Sequence, residues 1–372
     1  MKYIRVVGHP TSVKKISLLK EPTAEKFGVA DADAQPVFSV FDIGRTAPSF
    51  PLNNSAIVVM AAFNFGILKM RGINSHCIGL VNEHGKVISV EDCLNGKYPP
   101  STILRIKYLN RINPVFIEGH GWDYSMFRSP AFRHYVYPIE FISRNELPPE
   151  SSVWKDVKKG FFTFADLGLP NDFEIGDKVP SELQPILTYS TKYEPDDRTL
   201  TPKQAQELMG VSDEEFTRVN QVTREASILM TDYASSRGFE RLDGKVEQSP
   251  QFLVDAVCTW HEDRLVHKGT GMGISKQRIR NKIKKTNPEW CAEIDRAKDA
   301  AKEKGVDDFR KLMDPNIKYV SPPPEFFMAF NTLTEAGTNQ WIGRKIYPVY
   351  TDKDESLEDN LCRAVEDFQK VK

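Results

Sequence analysis

At 372 residues the chain is long enough for a substantial core divided over two or three structural units. Its 50 Lys and Arg stand against 51 Asp and Glu, a formal net charge of -1, so no overall field draws it to nucleic acid or to an anionic membrane; small molecules are the expected partners, with homo-oligomerisation left open. The longest apolar run, 56–68, is interrupted by Asn64 and too short for a bilayer span, Arg5 breaks the apolar start, and the five cysteines form no CxxC pair. A cytoplasmic protein with no membrane span, disulfide framework or zinc site is therefore expected.

In chain order, short β-type runs at 13–19 and 37–41, separated by Pro22, Gly28 and an acidic stretch at 31–33, predict a small sheet-rich lobe. Residues 56–71 read as a buried helix stopped by Gly72, followed by a strand over 73–81. A β-prone run at 135–144 ends at Arg144, and Pro148-Pro149 forces a loop over 144–152, a strand end suited to chemistry. Residues 160–187, rich in Pro, Gly and Asp, read as a surface excursion rather than core. Thr201-Pro202-Lys203-Gln204 and Ser212-Asp213-Glu214-Glu215 are two capping boxes, the second opening a helix whose apolar stripe runs from Phe216 to Tyr233 and stops at Gly238. Runs at 239–247 and 252–258 predict an antiparallel hairpin, 274–285 a basic helix and 352–372 a C-terminal helix. The resulting division is a sheet-rich lobe at 1–130, a larger α/β lobe at 131–290 and a helical extension at 291–372.

The predicted hairpin concentrates the chemistry. Alternation places Asp243, Lys245 and Glu247 on one strand face, with Asp255 on the neighbouring strand, a pattern that gathers carboxylates where a hard cation could bridge to phosphate oxygens. Charges on a solvated hairpin face are the alternative. Gly269-Thr270-Gly271-Met272-Gly273 lacks the spacing of a phosphate-binding loop. His261 and His267 lack the helical spacing of a zinc motif, so the 261–263 segment reads as a loop with satisfied polar groups, and the Lys and Arg run over 276–285 as a solvated helix face.

Taken in order, Arg237-Gly238, Asp243, Lys245, Glu247, Asp255, Arg264 and Ser275-Lys276-Gln277-Arg278-Ile279-Arg280 resemble the SAICAR synthetases, which carry R-G-(I/L)-x-L-x-D-x-K-x-E-F-G, a strand ending in D-E, a later arginine and a D-K-Q-x-x-R helix. Tyr137-Pro138-Ile139-Glu140-Phe141-Ile142-Ser143-Arg144-Asn145 is similar to that family's I-P-(L/I)-E-x-(V/I)-x-R-(N/G). Thr11-Ser12-Val13-Lys14-Lys15-Ile16 resembles its phosphate-covering turn, 39–42 its S-A-F-D, 52–54 its L-N-N, and 185–192 with Asp196-Asp197 its F-T-P-(S/T)-T-K-x-E and H-D-E. The resemblance covers about residues 6 to 285.

It implies an α+β, two-lobed fold with a small antiparallel-sheet N-terminal lobe covering the nucleotide and a larger α/β lobe for ATP and substrate, followed by C-terminal helices. It implies ATP and Mg²⁺ as cofactors, an anionic ribonucleotide and an amino acid as substrates, and an amide-forming ligase reaction in purine biosynthesis. By the same resemblance, Lys245, Glu247 and Asp255 are catalytic, Glu247 and Asp255 hold the metal, and Ser12, Lys14 and Lys15 join them on the nucleotide. Asp42, Asn54, Arg144, Ser151, Ser152, Lys192, Asp243, Arg264, Lys276 and Arg280 bind substrate. Two departures stand out: Ser49-Phe50-Pro51 replaces the family's G-K-G, and Ala256 takes the place of the second acid after Asp255. They keep open a paralogue that joins another carboxylate and amine, and a non-catalytic nucleotide-binding protein.

Overall fold

The computed structural model describes residues 5–7, 13–350 and 355–371, so Ser12 lies outside the described residues. Strands β1 (Arg5–Val7), β2 (Lys14–Lys20) and β3 (Gly28–Ala34) open the chain, followed by a small ribbon of β4 (Phe38–Ser39) and β5 (Arg45–Thr46). Helix α1 (Ser55–Met70) leads into β6 (Cys77–Val81), β7 (Val87–Ile88), α2 (Val90–Leu94) and β8 (Ile103–Tyr108). Six of these strands form an antiparallel sheet in the order β1-β2-β3-β8-β6-β7. A second ribbon, β9 (Val115–Ile117) and β10 (Gly121–Asp123), precedes the larger half of the chain.

That half runs β11 (Ile139–Arg144), α3 (Ser152–Lys158), β12 (Ile186–Thr191), β13 (Thr199–Leu200), α4 (Pro202–Met209), α5 (Asp213–Ser236), β14 (Phe239–Gln248), β15 (Leu253–Val254), β16 (Asp263–His267) and β17 (Met272–Ile274). The sheet order is β13-β12-β11-β14-β16-β17, with β15 folding back on the end of β14. Helices α6 (Gln277–Thr286), α7 (Pro288–Lys304), α8 (Pro324–Ile342) and α9 (Leu357–Lys370) complete the chain. The mixed helix and antiparallel-sheet architecture is the expected α+β fold. No helix of the described residues is long and apolar enough to cross a membrane.

Helix α1 is apolar on most sides because it is enclosed: Val59, Met60, Phe65 and Leu68 are buried within one cluster that continues through Trp260 and Trp341 to Phe368. Asn64, fully buried on this helix, donates to the carbonyls of Val257 and Cys258 at 2.9 and 2.7 Å and accepts from Trp341 Nε1 at 2.9 Å, so the polar break in the apolar run is a hydrogen-bonded tie between the two halves. The described residues beyond 290 share this core, from Ile294 through Trp341 to Phe368. Helix α8 packs against α1, and its Asn331 binds the main chain of Pro51 and Asn53 at 2.9 Å each. The segment that replaces G-K-G is thus strapped to a C-terminal helix, with the Ser49 amide donating to Ser321 Oγ at 2.9 Å.

Two local expectations are corrected. Thr201 closes a full capping box with Gln204, but Ser212 caps α5 without reciprocity, because Glu215 turns away to Arg218 and to the Tyr137 hydroxyl at 2.6 Å. The excursion over 160–187 is not bare surface: Leu169, Phe173 and Val179 bury themselves against Leu147, Val153 and Ile186 as a small core of their own.

Candidate active site

The predicted hairpin forms, with Glu247 opposite Val254, and Asp255 follows directly in the left-handed region at φ 65°. Phe41 and Asp42, at φ 52° and 61°, are the other non-glycine residues so held around the cavities described below, a concentration of backbone strain that marks functional geometry. Strand register builds the charged face. Glu140, Ile142 and Arg144 on β11 sit beside Asp243, Lys245 and Glu247 on β14 and beside Thr188 and Ser190 on β12, all facing one side of the sheet. On the opposite side of β14, Gly244 has no room for a side chain, since a Cβ there would lie 2.0 Å from Asp263 Oδ2 and 2.2 Å from Arg241 Nη2. Arg241 and Asp263 form a wholly buried ion pair beneath the face, and Arg241 also donates to Ser227 and Ser143 at 2.7 and 3.0 Å.

Two cavities open on this face. One, of about 990 Å³, lies between the two sheets, with Ile16, Ala32 and Leu104 as an apolar wall and Lys14, Lys192, Lys245, Glu247, Asp255 and Glu262 as a charged one. Lys14 pairs with Asp255, Lys192 with Glu247, and Lys245 with Glu140 at 2.8 Å and with Glu247 and Glu262 at 3.3 Å. Burial works against each ammonium, but the carboxylates outweigh it and hold Lys14, Lys192 and Lys245 above an ordinary lysine. Burial likewise opposes the Asp255 and Glu262 carboxylates, yet Lys14 and Lys245 for the first, and Lys245 and Lys276 for the second, keep them ionised, Glu262 down to about 2. Glu247 and Asp255, on adjoining parts of the hairpin, offer hard oxygen donors of the kind Mg²⁺ takes, one or two carboxylates being its usual protein share beside phosphate oxygens and waters.

The second cavity, of about 500 Å³, lies over the sheet between α3 and α6 and gathers four cationic side chains that are only partly matched by acceptors. Arg144, buried, spends four of its five N–H groups on Thr188 (2.9 Å), Ser151 (3.2 Å), Ser152 (3.1 Å) and Asp243 (3.3 Å). Arg264 pairs with Asp243 and the Glu150 carbonyl but leaves Nε buried without a partner. Lys276 and Arg280, one turn apart at the start of α6, line the cavity without an ion pair among the described residues. Burial, with Arg280 and Lys245 nearby, brings Lys276 down to about 8 despite Glu262. The two cavities share eight lining residues, among them Ser39, Asp42, Glu140, Asp197, Lys245, Glu262 and Lys276, which form a seam between them. Burial, Glu140 and Asp42 together push the Asp197 carboxyl well up, so the seam carries a protonatable acid.

Several expectations change here. Lys15 points away from the cleft into solvent, on the opposite face of β2 from Lys14, because side chains alternate along a strand. Asn54 lines the cleft, but its amide is committed to the carbonyls of Gln35 and Val37, the latter at 3.1 Å. Ser151 is a buried N-cap of α3 that holds Arg144, while Ser152 reaches the cavity. The 261–263 loop is not satisfied: His261 Nε2 is buried with no partner, and burial with Lys276 nearby brings its imidazole down to about 3. Of the basic helix, Lys276 and Arg280 face the cavity while Lys284 and Lys285 are exposed. Glu140 and Glu262 were missed as site residues. Period-two spacing from Arg144 points to Glu140, whereas nothing local signals Glu262. Asp42 is held by Lys298 from α7, in a region with no motif.

The fold is thus a two-lobed α+β architecture with a charged interlobe cleft joined to a second polar pocket in which Lys276 and Arg280 lack an ion pair among the described residues. The SAICAR synthetase family model matches residues 39–297, and the chain belongs to that family. It is 30% identical over 344 residues to a candidate phosphoribosylaminoimidazole-succinocarboxamide synthase of Archaeoglobus fulgidus, covering 90% of this chain and 94% of that one. It is 30% identical over 168 residues to the phosphoribosylaminoimidazole-succinocarboxamide synthase of Thermoplasma acidophilum, covering 42% of this chain and 55% of the relative. The fold is similar to that of SAICAR synthase from Saccharomyces cerevisiae in complex with SAICAR, with a TM-score of 0.56 at 17% identity, covering 92% of this chain and 95% of the other.

Proposed function

We propose that the protein is an ATP- and Mg²⁺-dependent ligase of de novo purine biosynthesis that joins the carboxylate of carboxyaminoimidazole ribonucleotide to the amine of L-aspartate. The observation that carries this reading is the pair of cavities meeting at one seam, the interlobe one carrying lysines and carboxylates and the other Lys276 and Arg280 without an ion pair among the described residues, beside a buried Arg264 Nε with no acceptor. The apolar wall of Ile16, Ala32 and Leu104 suits a planar base, and Lys14, Lys192 and Lys245 suit a polyphosphate. Glu247 and Asp255 would hold Mg²⁺, which neutralises phosphate charge when bound. Arg144, Ser152, Arg264, Lys276 and Arg280 would grip the phosphate and carboxylates of the ribonucleotide and amino acid.

With both substrates so held, a carboxylate oxygen attacks the γ-phosphorus and ADP leaves. The amine nitrogen then attacks the acyl carbon, phosphate leaves with the transferred oxygen, and the amine proton is lost. Lys245 at the seam faces the charge that develops on the transferred phosphoryl group. The chain's part is positioning and charge compensation, and no enzyme nucleophile is needed. Ala256, which lines the cleft without a carboxylate, favours a second reading in which a paralogue joins a different carboxylate and amine.

The test is ADP release with MgATP and each substrate alone or both together. ADP formed only with carboxyaminoimidazole ribonucleotide plus aspartate supports the first reading, ADP formed only with another acid–amine pair supports the second, and nucleotide binding without turnover on any pair refutes both.

A further inference from the structure

A cluster remote from the charged face is unused by this mechanism. His267 ends β16, wholly buried, and its Nε2 lies 2.8 Å from Glu358 Oε1. Glu358 and Cys362 are one turn apart on α9, with Cys362 Sγ 4.0 Å from the same carboxylate oxygen. The three donor atoms all lie within 4.8 Å of one another, the one such group of three or more His, Cys, Asp or Glu among the described residues. Spacing along the sequence conceals it, because the histidine and the helical pair are ninety-odd residues apart and meet only when α9 docks on the end of β16.

We propose that His267, Glu358 and Cys362 form a zinc site that fastens the C-terminal helix to the second sheet. The donors carry the argument first. A neutral imidazole, a carboxylate and a thiolate suit Zn²⁺, while the nitrogen and sulfur disfavour Mg²⁺ and Ca²⁺. Metal–ligand lengths of about 2.0–2.3 Å at tetrahedral angles put ligand atoms about 3.3–3.6 Å apart, so shifts of about 1 Å complete the set. The surrounding groups hold the ligands in orientation. Thr270 Oγ1 lies 3.0 Å from His267 Nδ1 and can accept its proton, which turns the Nε2 lone pair toward the cluster, and Gln340 Nε2 donates to Glu358 Oε2 at 2.9 Å, leaving Oε1 free to ligate. Gly269 keeps the space open, since a Cβ there would lie 2.8 Å from Glu358 Oε1 and 3.0 Å from the His267 ring.

Glu358 is 44% exposed, which gives the ion a path in and leaves the fourth position to water. On binding, the imidazole gives its Nε2 lone pair to zinc, its single proton moves by exchange with solvent from the Nε2–Oε1 contact to Nδ1 toward Thr270, and the Cys362 thiol releases its proton to solvent.

The full chain, stripped of metal by a chelator and dialysed, is titrated with Zn²⁺ against a chromophoric competitor and separately with Co²⁺. One tight equivalent of zinc is expected, with a cobalt–thiolate absorption band and a zinc-dependent rise in melting temperature. Cys362→Ser and Glu358→Gln should each weaken zinc binding at least tenfold, and Cys362→Ser should abolish the cobalt band, while Cys291→Ser, another partly exposed cysteine, leaves both unchanged. Failure of the wild type to bind zinc, equal binding by Cys362→Ser, or an equal loss in Cys291→Ser would each overturn the assignment. None of these readouts depends on ligase turnover.

Discussion

Replacing Asp255 by Asn removes one charge from the cleft with little change in shape. Asn also tolerates the left-handed φ of 65° at this position, where Ala would be strained. The carboxylate is ringed by Lys14, Lys245 and Lys192 and lies across the hairpin from Glu247, so on the proposed function its loss would leave the Mg²⁺ with one fewer protein ligand. A unit charge about 4 Å away at an effective dielectric of about 20 contributes about 4 kcal/mol, and screening by the neighbouring lysines reduces this to about 3–4 kcal/mol. At about 1.4 kcal/mol per decade, kcat/KM for ATP should fall by about 10²–10³. Stability should hardly change: the Lys14–Asp255 pair is 32% and 24% exposed, so it contributes at most about 1 kcal/mol, a melting shift of about 4 °C or less. The assay is ADP release at varied ATP with a thermal melt of the same preparation. A variant within threefold of wild type would refute the role given to this carboxylate, and a large loss of melting temperature would refute the claim that its contribution is electrostatic.

Lys276, held near 8, is cationic below that pH and neutral above it, so kcat/KM for the anionic acceptor should fall as pH rises through about 8, and Lys276→Arg should move that limb above about pH 10. A pH–rate profile of both proteins decides it, and an unmoved limb would assign it to another group. Away from the site, Arg105 grips Asp31 through Nε and Nη2 at 2.6 and 2.9 Å, with both side chains at most 5% exposed. Arg105→Met, which takes this two-bond partner away from the buried Asp31, should destabilise the first sheet by about 3 kcal/mol, whereas the Asp31→Leu, Arg105→Met double variant should recover part of it, as read by denaturant unfolding.

Local chemistry made much of this architecture legible. The cap at Thr201, the stop at Gly238, and the alternation of Asp243, Lys245 and Glu247 each depend on neighbours in sequence, and each is realised. Period two on β2 also contained the correction that Lys14 and Lys15 cannot share a face. What stayed hidden depends on contacts distant in the chain. Glu262 becomes a cleft residue because the loop before β16 returns beneath Lys245, and Asp42 is fixed by Lys298 some 250 residues later. The small core over 160–187 was masked by its Pro and Gly content, since composition signals irregular backbone without revealing where Leu169 and Phe173 point.

The most direct measurement follows the oxygen atoms. With carboxyaminoimidazole ribonucleotide labelled with ¹⁸O in its carboxylate, and with MgATP and aspartate present, a ligase working at this seam must carry one labelled oxygen into the inorganic phosphate, because that atom bridges carbon and phosphorus before the amine displaces it. Phosphate bearing the label in step with ADP is the predicted result. Phosphate free of label while amide product accumulates would contradict the account.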